Sequence, residues 1–115
     1  MKLIHCADIH LDAPLGSVFP PEAAAKYRRA VLANFASLVR LSDAGGADAL
    51  LIAGDLLDSD DTAERTVRYV LDLFREHPDL PVFYLAGNHD GGGLAARTDL
   101  PPNLHTFGQD WTYYR

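Results

Sequence analysis

The sequence predicts an α/β fold with a parallel βαβαβ core. Two patterns carry that prediction. Short apolar runs alternate with longer stretches whose apolar residues recur at helical spacing, and Gly or Pro residues punctuate the joins. The chain has 115 residues, 48% of them hydrophobic and 23% charged, which fits one ordinary domain or part of one.

Lys2 to Cys6 reads as a short buried strand. Asp12 to Pro21, with Pro14, Gly16, Pro20 and Pro21, reads as a loop. Glu22 to about Asp43 reads as a helix: Tyr27, Val31, Phe35, Leu38 and Val39 share one stripe, and Gly45-Gly46 stops the run. Ala47 to Ala53 is apolar throughout after Asp48, the pattern of a strand covered on both faces. Asp61 to His77 reads as a second helix. Asp61 and Glu64 have capping-box spacing, Val67, Val70, Leu71 and Phe74 share a face, and Pro78 ends it. Pro81 to Ala86 is a third strand, and Gly91-Gly92-Gly93 a mobile turn. Asn103 to Phe107 and Trp111 to Tyr114 read as two further short strands. Alternation of strand and helix implies right-handed crossovers, with the helices covering the faces of the sheet.

Composition narrows the function. The longest apolar runs are strand-sized, far short of the ~18 residues a membrane span needs. Leu3-Ile4 is broken at once by His5 and Asp8, so the start does not read as a secretory signal. Cys6, the single cysteine, excludes an internal disulfide framework and any cysteine-based zinc module. These features read as a cytoplasmic protein with no membrane partner. Sixteen acidic residues against ten Lys and Arg give a formal charge of -6, which by itself argues against a nucleic-acid surface. Divalent cations in a site would reverse that field locally.

The segments at the ends of the three strong strands are more specific. Asp8-Ile9-His10 comes after the first, Gly54-Asp55-Leu56-Leu57-Asp58 after the second, and Gly87-Asn88-His89-Asp90 after the third. In a parallel sheet the carboxyl ends of the strands lie along one edge, where ligands bind. Carboxylates, imidazole and an amide oxygen without thiolate suit Mn, Fe, Zn or Mg. Carboxylates crowded together would repel unless a cation neutralised them. Asp55, on the middle segment, is placed to bridge two metals, and two metals about 3.5–4 Å apart are a standard device for phosphate-ester hydrolysis. Gly54 and Gly87 permit a sharp turn directly off a strand, where a side chain would crowd the metals.

These three motifs, in this order, resemble those of the calcineurin-like metallophosphoesterase superfamily: Asp-x-His, Gly-Asp-x-x-Asp and Gly-Asn-His-Asp/Glu. The opening MKLIHCADIHLDAPL, with AGDLLDSD and LAGNHD, is similar to the bacterial DNA repair exonucleases of the SbcD type. The resemblance implies two divalent metal ions, manganese foremost. It implies Asp8, His10 and Asp55 as ligands of one metal, and Asp55 with Asn88 as ligands of the other. It implies His89 as the group that contacts the scissile phosphate and assists the leaving oxygen, Asp90 as its orienting partner, and Asp58 as a support behind the ligands. It further implies a metal-dependent phosphodiester hydrolase with DNA as substrate.

The family's later histidines, a lone His and a Gly-His-x-His motif, have no counterpart here beyond His105. Residues 1–115 are therefore expected to be the N-terminal part of such a domain, truncated relative to the family sandwich. A homo-oligomer or a complementing chain is one way the site would be completed. Two alternatives stay open: a phosphodiesterase or phosphomonoesterase acting on small substrates, and a non-catalytic assembly module.

The remaining polar and aromatic residues read as structural. His5 fits a packed core histidine, His77 a helix-end contact, His105 a strand face, and Cys6 core packing. Lys26, Arg28 and Arg29 fit a solvated helix face, and Trp111, Tyr113 and Tyr114 a core or partner interface.

Overall fold

Strand β1 (Leu3–Cys6) leads into helix α1 (Pro21–Ala44), strand β2 (Ala49–Ala53), helix α2 (Glu64–Arg75), and strands β3 (Val82–Leu85) and β4 (Leu104–Thr106). The computed structural model describes residues 1–59, 61–87, 93–108 and 110–115. The strands form one parallel sheet in the order β1-β2-β3-β4.

Register places like with like. Ile4, Leu50, Val82 and Leu104 stand side by side across the sheet, and so do Cys6, Ile52, Tyr84 and Thr106. Because strand side chains alternate, both rows point to the same face. Leu50, Ile52, Val82 and Tyr84 are there at most 1% exposed. They join Phe35 and Val39 of α1 and Val67, Val70, Leu71 and Phe74 of α2 in one core. Phe35 and Phe74 meet edge to face at 6.2 Å between ring centres. The Asn103 side-chain amide ties β4 to the end of α2, donating to the carbonyls of Phe74, His77 and Leu80 at 2.9–3.0 Å. The amides of His77 and Leu80 also donate to the Phe74 and His77 carbonyls, so the buried Asn103 amide reinforces a helix end that the backbone already closes in part.

The opposite face departs from expectation. The pattern of Ala47 to Ala53 suggests cover on both sides, yet Leu51 is half-buried and Ala53 exposed. Leu3 is 49% exposed and Leu85 51%. The strand order explains this. Parallel strands laid down in sequence with right-handed crossovers send both helices to one side. His5, expected in the core, stands exposed on the open face.

The stretch Trp111 to Tyr114 forms no strand. Trp111 and Tyr113 are exposed, while Tyr114 turns back and its hydroxyl donates to the Thr106 carbonyl at 2.8 Å. Its ring packs with Phe83, His105 and Phe107. The aromatic alternation there is that of a strand, but no described neighbour supplies a ladder. The capping box is not made either. α2 begins at Glu64 with Ala63 as its cap and no side-chain cap bond. Glu64 instead accepts hydrogen bonds from Arg68 and Arg97. Tyr27 leaves the core stripe of α1 and stacks on Phe19 at 4.5 Å. No described helix is long and apolar enough to cross a membrane.

Candidate metal centre

Beyond their last residues, β1 and β2 stay joined. The Asp8 amide donates to the Gly54 carbonyl at 3.1 Å, and the His10 amide to the Asp55 carbonyl at 2.9 Å. The Leu11 amide donates to the Leu56 carbonyl at 2.8 Å, and the Asp58 amide to the Leu11 carbonyl at 3.1 Å. Leu11, Leu56 and Leu57, each at most 5% exposed, anchor both segments in the core. The sequences HLD and DLLD thus interleave apolar anchors with the polar side chains of the sheet edge.

The backbone at this edge is unusual. Asp8, His10 and Asp55 have φ of 55°, 50° and 53°. This left-handed region is sparsely used by residues other than glycine, and Asp, Asn and His tolerate it best. The residue types that ligate metals are also those that can hold this turn. Gly54, at φ 84°, needs the freedom that only glycine has. Gly87 is constrained by contact instead. A methyl on it would collide with the Asp55 carboxylate and sit 2.6 Å from the Asp55 amide nitrogen. Gly87, just past β3, is therefore pressed directly against the middle carboxylate. The group that a side chain at Gly87 would crowd is the Asp55 carboxylate and its amide.

The side chains converge. His10 Nε2 lies 4.0 Å from Asp8 Oδ1 and 4.0 Å from Asp55 Oδ2. One ligand atom from each of the three residues falls within 4.8 Å of the others. That spacing leaves room for a cation bonded to all three. On the other side of the ring, His10 Nδ1 meets Asp58 Oδ1 at 3.2 Å. A carboxylate accepting at Nδ1 orients the ring so that Nε2 faces Asp8 and Asp55. This is the outer support typical of a ligating histidine. Asp55 and Asp58 are largely buried, at 17% and 28% side-chain exposure, whereas Asp8 is 74% exposed. The middle carboxylate is fixed from several sides, and the first is open to an incoming ligand. The donor set fits a hard or borderline divalent ion.

The other expected residues divide cleanly. Asn88, His89 and Asp90 lie outside the described residues, as do Gly91 and Gly92 of the expected glycine turn. His77 Nδ1 meets Asp43 Oδ2 at 2.6 Å, tying the ends of the two helices together. His105 stacks on Phe83 at 4.9 Å on the open face. Cys6 is half-buried, and burial pushes its thiol up, so it stays protonated. Two polar residues escape sequence reasoning. Asp12 accepts from the Ala63 amide at 3.1 Å and tethers the first loop to the start of α2. Arg65 lines a cavity together with Asp12, Arg28 and Arg29. Fifty-three residues of sequence separate Asp12 from Arg65, and no local pattern links them.

The family model of calcineurin-like phosphoesterases matches residues 1–115. The chain is 30% identical over 115 residues to an uncharacterized metallophosphoesterase, YhaO, of Bacillus subtilis; the match covers 93% of this chain and 28% of that protein. It is 33% identical over 101 residues to the DNA double-strand break repair protein Mre11 of Aeropyrum pernix, covering 86% of this chain and 23% of that protein. The chain spans about a quarter of the length of these curated relatives.

Proposed function

The chain belongs to the calcineurin-like phosphoesterase family, and from that premise we propose that it carries the metal-binding edge of a DNA-directed phosphodiesterase. Residues 1–115 serve as the N-terminal part of the catalytic domain, and the protein works in the cytoplasm. Asp8, His10 and Asp55 hold one divalent ion, and Asp55 with Asn88 a second, with manganese the proposed metal. Such a pair, when bound, polarises phosphoryl oxygens and makes coordinated water a better nucleophile.

The chain's own residues supply the rest. Asp58 fixes the His10 tautomer so that Nε2 stays a lone-pair donor. Gly87 keeps the space beside Asp55 clear, so that its carboxylate can face the edge. His89 contacts the scissile phosphate and carries a proton to the departing oxygen, and Asp90 orients His89. The observation that supports this reading most is the pair of 4.0 Å approaches of one His10 nitrogen to two carboxylates from different strand ends. DNA as substrate is supported by the opening motif and by the likeness to an archaeal Mre11.

Calorimetric titration with manganese tests the centre. Wild type is expected to bind, and Asp55→Asn, whose side chain tolerates the same backbone, to lose at least about tenfold in affinity. Equal affinity for the two would remove the centre. Hydrolysis of single-stranded DNA, a cyclic nucleotide and a phosphomonoester then ranks the substrates, and preference for either small ester overturns the assignment to DNA.

A second reading, an assembly module, is favoured by the open face around His5, Ala53 and Leu85. Finding no manganese bound, together with a concentration-dependent oligomer by ultracentrifugation, would favour it.

A further inference from the structure

A cavity of 340 Å³ lies between the loop after β1, helix α1 and the first turn of α2. Arg28 and Arg29 from α1 and Arg65 from α2 line it, with Asp12 and Thr66. Three guanidiniums against a single carboxylate is an arrangement that repels itself, and it is out of character in a chain of net charge -6.

Three other arginines on the helix side are paired with carboxylates. Arg68 pairs with Glu64, Arg75 with Asp72, and Arg97 with Glu64 and Asp99. Among the described residues, Arg28, Arg29 and Arg65 have no carboxylate within ion-pair reach. Arg28 spends one N–H on the Pro14 carbonyl at 2.8 Å, which fixes its head and leaves its other donors for a ligand. Asp12 is already engaged by the Ala63 amide.

Position matters as much as charge. Asp12 stands two residues past His10, so the cavity wall begins within about 7 Å of chain from the metal triad. An anion held here sits beside the proposed reaction centre and is distinct from the group that centre would hold. Forked guanidiniums match phosphate oxygens in pairs.

We propose that the Arg28–Arg29–Arg65 cavity binds a non-scissile phosphate of a single-stranded nucleic acid whose neighbouring phosphodiester lies at the Asp8–His10–Asp55 edge. The proposal rests on the phosphodiesterase reading for its substrate. It reconciles an acidic chain with a polyanionic ligand, because the basic charge is local.

Binding is measured without metal, so that it stands apart from catalysis. Fluorescence anisotropy follows a labelled single-stranded 12-mer against the 115-residue chain in EDTA over a range of salt. The double variant Arg29→Gln, Arg65→Gln is expected to bind at least about tenfold more weakly. Its log–log salt slope is expected to flatten by about 0.7, the share of one single-strand phosphate contact. A second double variant, Arg40→Gln with Arg68→Gln, removes the same charge outside the cavity and is expected to change affinity less than about twofold. Equal losses in the two double variants, or no loss in the first, overturn the proposal. So does competition by inorganic pyrophosphate that depends on Arg29 and Arg65 while oligonucleotide binding does not, since the cavity would then serve a small phosphate. If manganese binding and hydrolysis of a chromogenic diester persist while these effects are missing, the cavity assignment fails and the metal centre stands.

Discussion

The two faces of the sheet are built from the same strands and live in different surroundings. On the helix side, Leu50, Ile52, Val82 and Tyr84 are sealed under α1 and α2. On the other side, Leu3 and Leu85 are about half exposed, and Phe83 is sheltered by His105, Phe107 and Tyr114. The difference teaches where stability is held: one face carries the core, and the rim where β1 and β2 end carries the polar groups. The polar side chains of that rim are anchored from the sealed side, through Leu11, Leu56 and Leu57.

Paired truncations give the largest contrast. Ile52→Ala is expected to cost about 2–5 kcal/mol, because it removes buried methyl groups and leaves a cavity. Leu85→Ala, on the open face, is expected to cost less than about 1 kcal/mol. Urea unfolding of both compares them directly, and equal losses would mean that the open face is covered in solution.

The rim is probed next, by changes aimed at ligation rather than folding. Asp58→Ala should lower manganese affinity by about 10–100-fold, since His10 loses the partner that sets its tautomer and aim. Gly87→Ala should reduce affinity by roughly tenfold, because the added methyl displaces the Asp55 carboxylate. Calorimetry reads both. If either variant binds as wild type does, the support assigned to that residue is removed.

The smallest effect lies at the surface of the helix side. The Arg97 guanidinium, hydrogen-bonded to Glu64 and Asp99, holds both carboxyls below their usual range. Groups depressed in the folded state stabilise it above their unfolded values, about pH 4, and that contribution fades as pH falls through the folded values. Arg97→Gln should therefore lower stability slightly at pH 7 and converge on wild type as pH falls below about 4, which flattens the acid limb. Unfolding midpoints across pH 3–7 test this, and unchanged acid sensitivity would show these pairs to be too solvated to matter.

Much of the fold is legible in the sequence because periodicity reports burial. Val67, Val70, Leu71 and Phe74 share one face by spacing and are all in the core. The one-sided sheet is not legible, because strand order is a tertiary property and an apolar run such as Ala49 to Ala53 looks the same whether one face is covered or two. His5 and Tyr27 depart from expectation for a related reason: each sits on an apolar pattern at a place where no partner layer arrives. Asp61 and Glu64 have the right spacing for a cap, but Arg97, distant in sequence, engages Glu64.

In the site, the meeting of Asp8, His10 and Asp55 is legible once the motifs are placed at strand ends. The cluster of Arg28, Arg29 and Arg65 is not, because Arg65 reaches it from another helix. Asn88, His89 and Asp90 remain proposals from the sequence.

The left-handed turns at Asp8, His10 and Asp55 have a last consequence. Each bends the main chain against the natural handedness of its residue, at a cost on the order of 1–3 kcal/mol. The edge that brings these three side chains together therefore stores backbone strain. Swapping Asp8 for glycine, a change reachable by a single base substitution, would ease that tension while discarding one carboxylate of the cluster. A hardier variant with a depleted acidic cluster therefore lies one genetic step away.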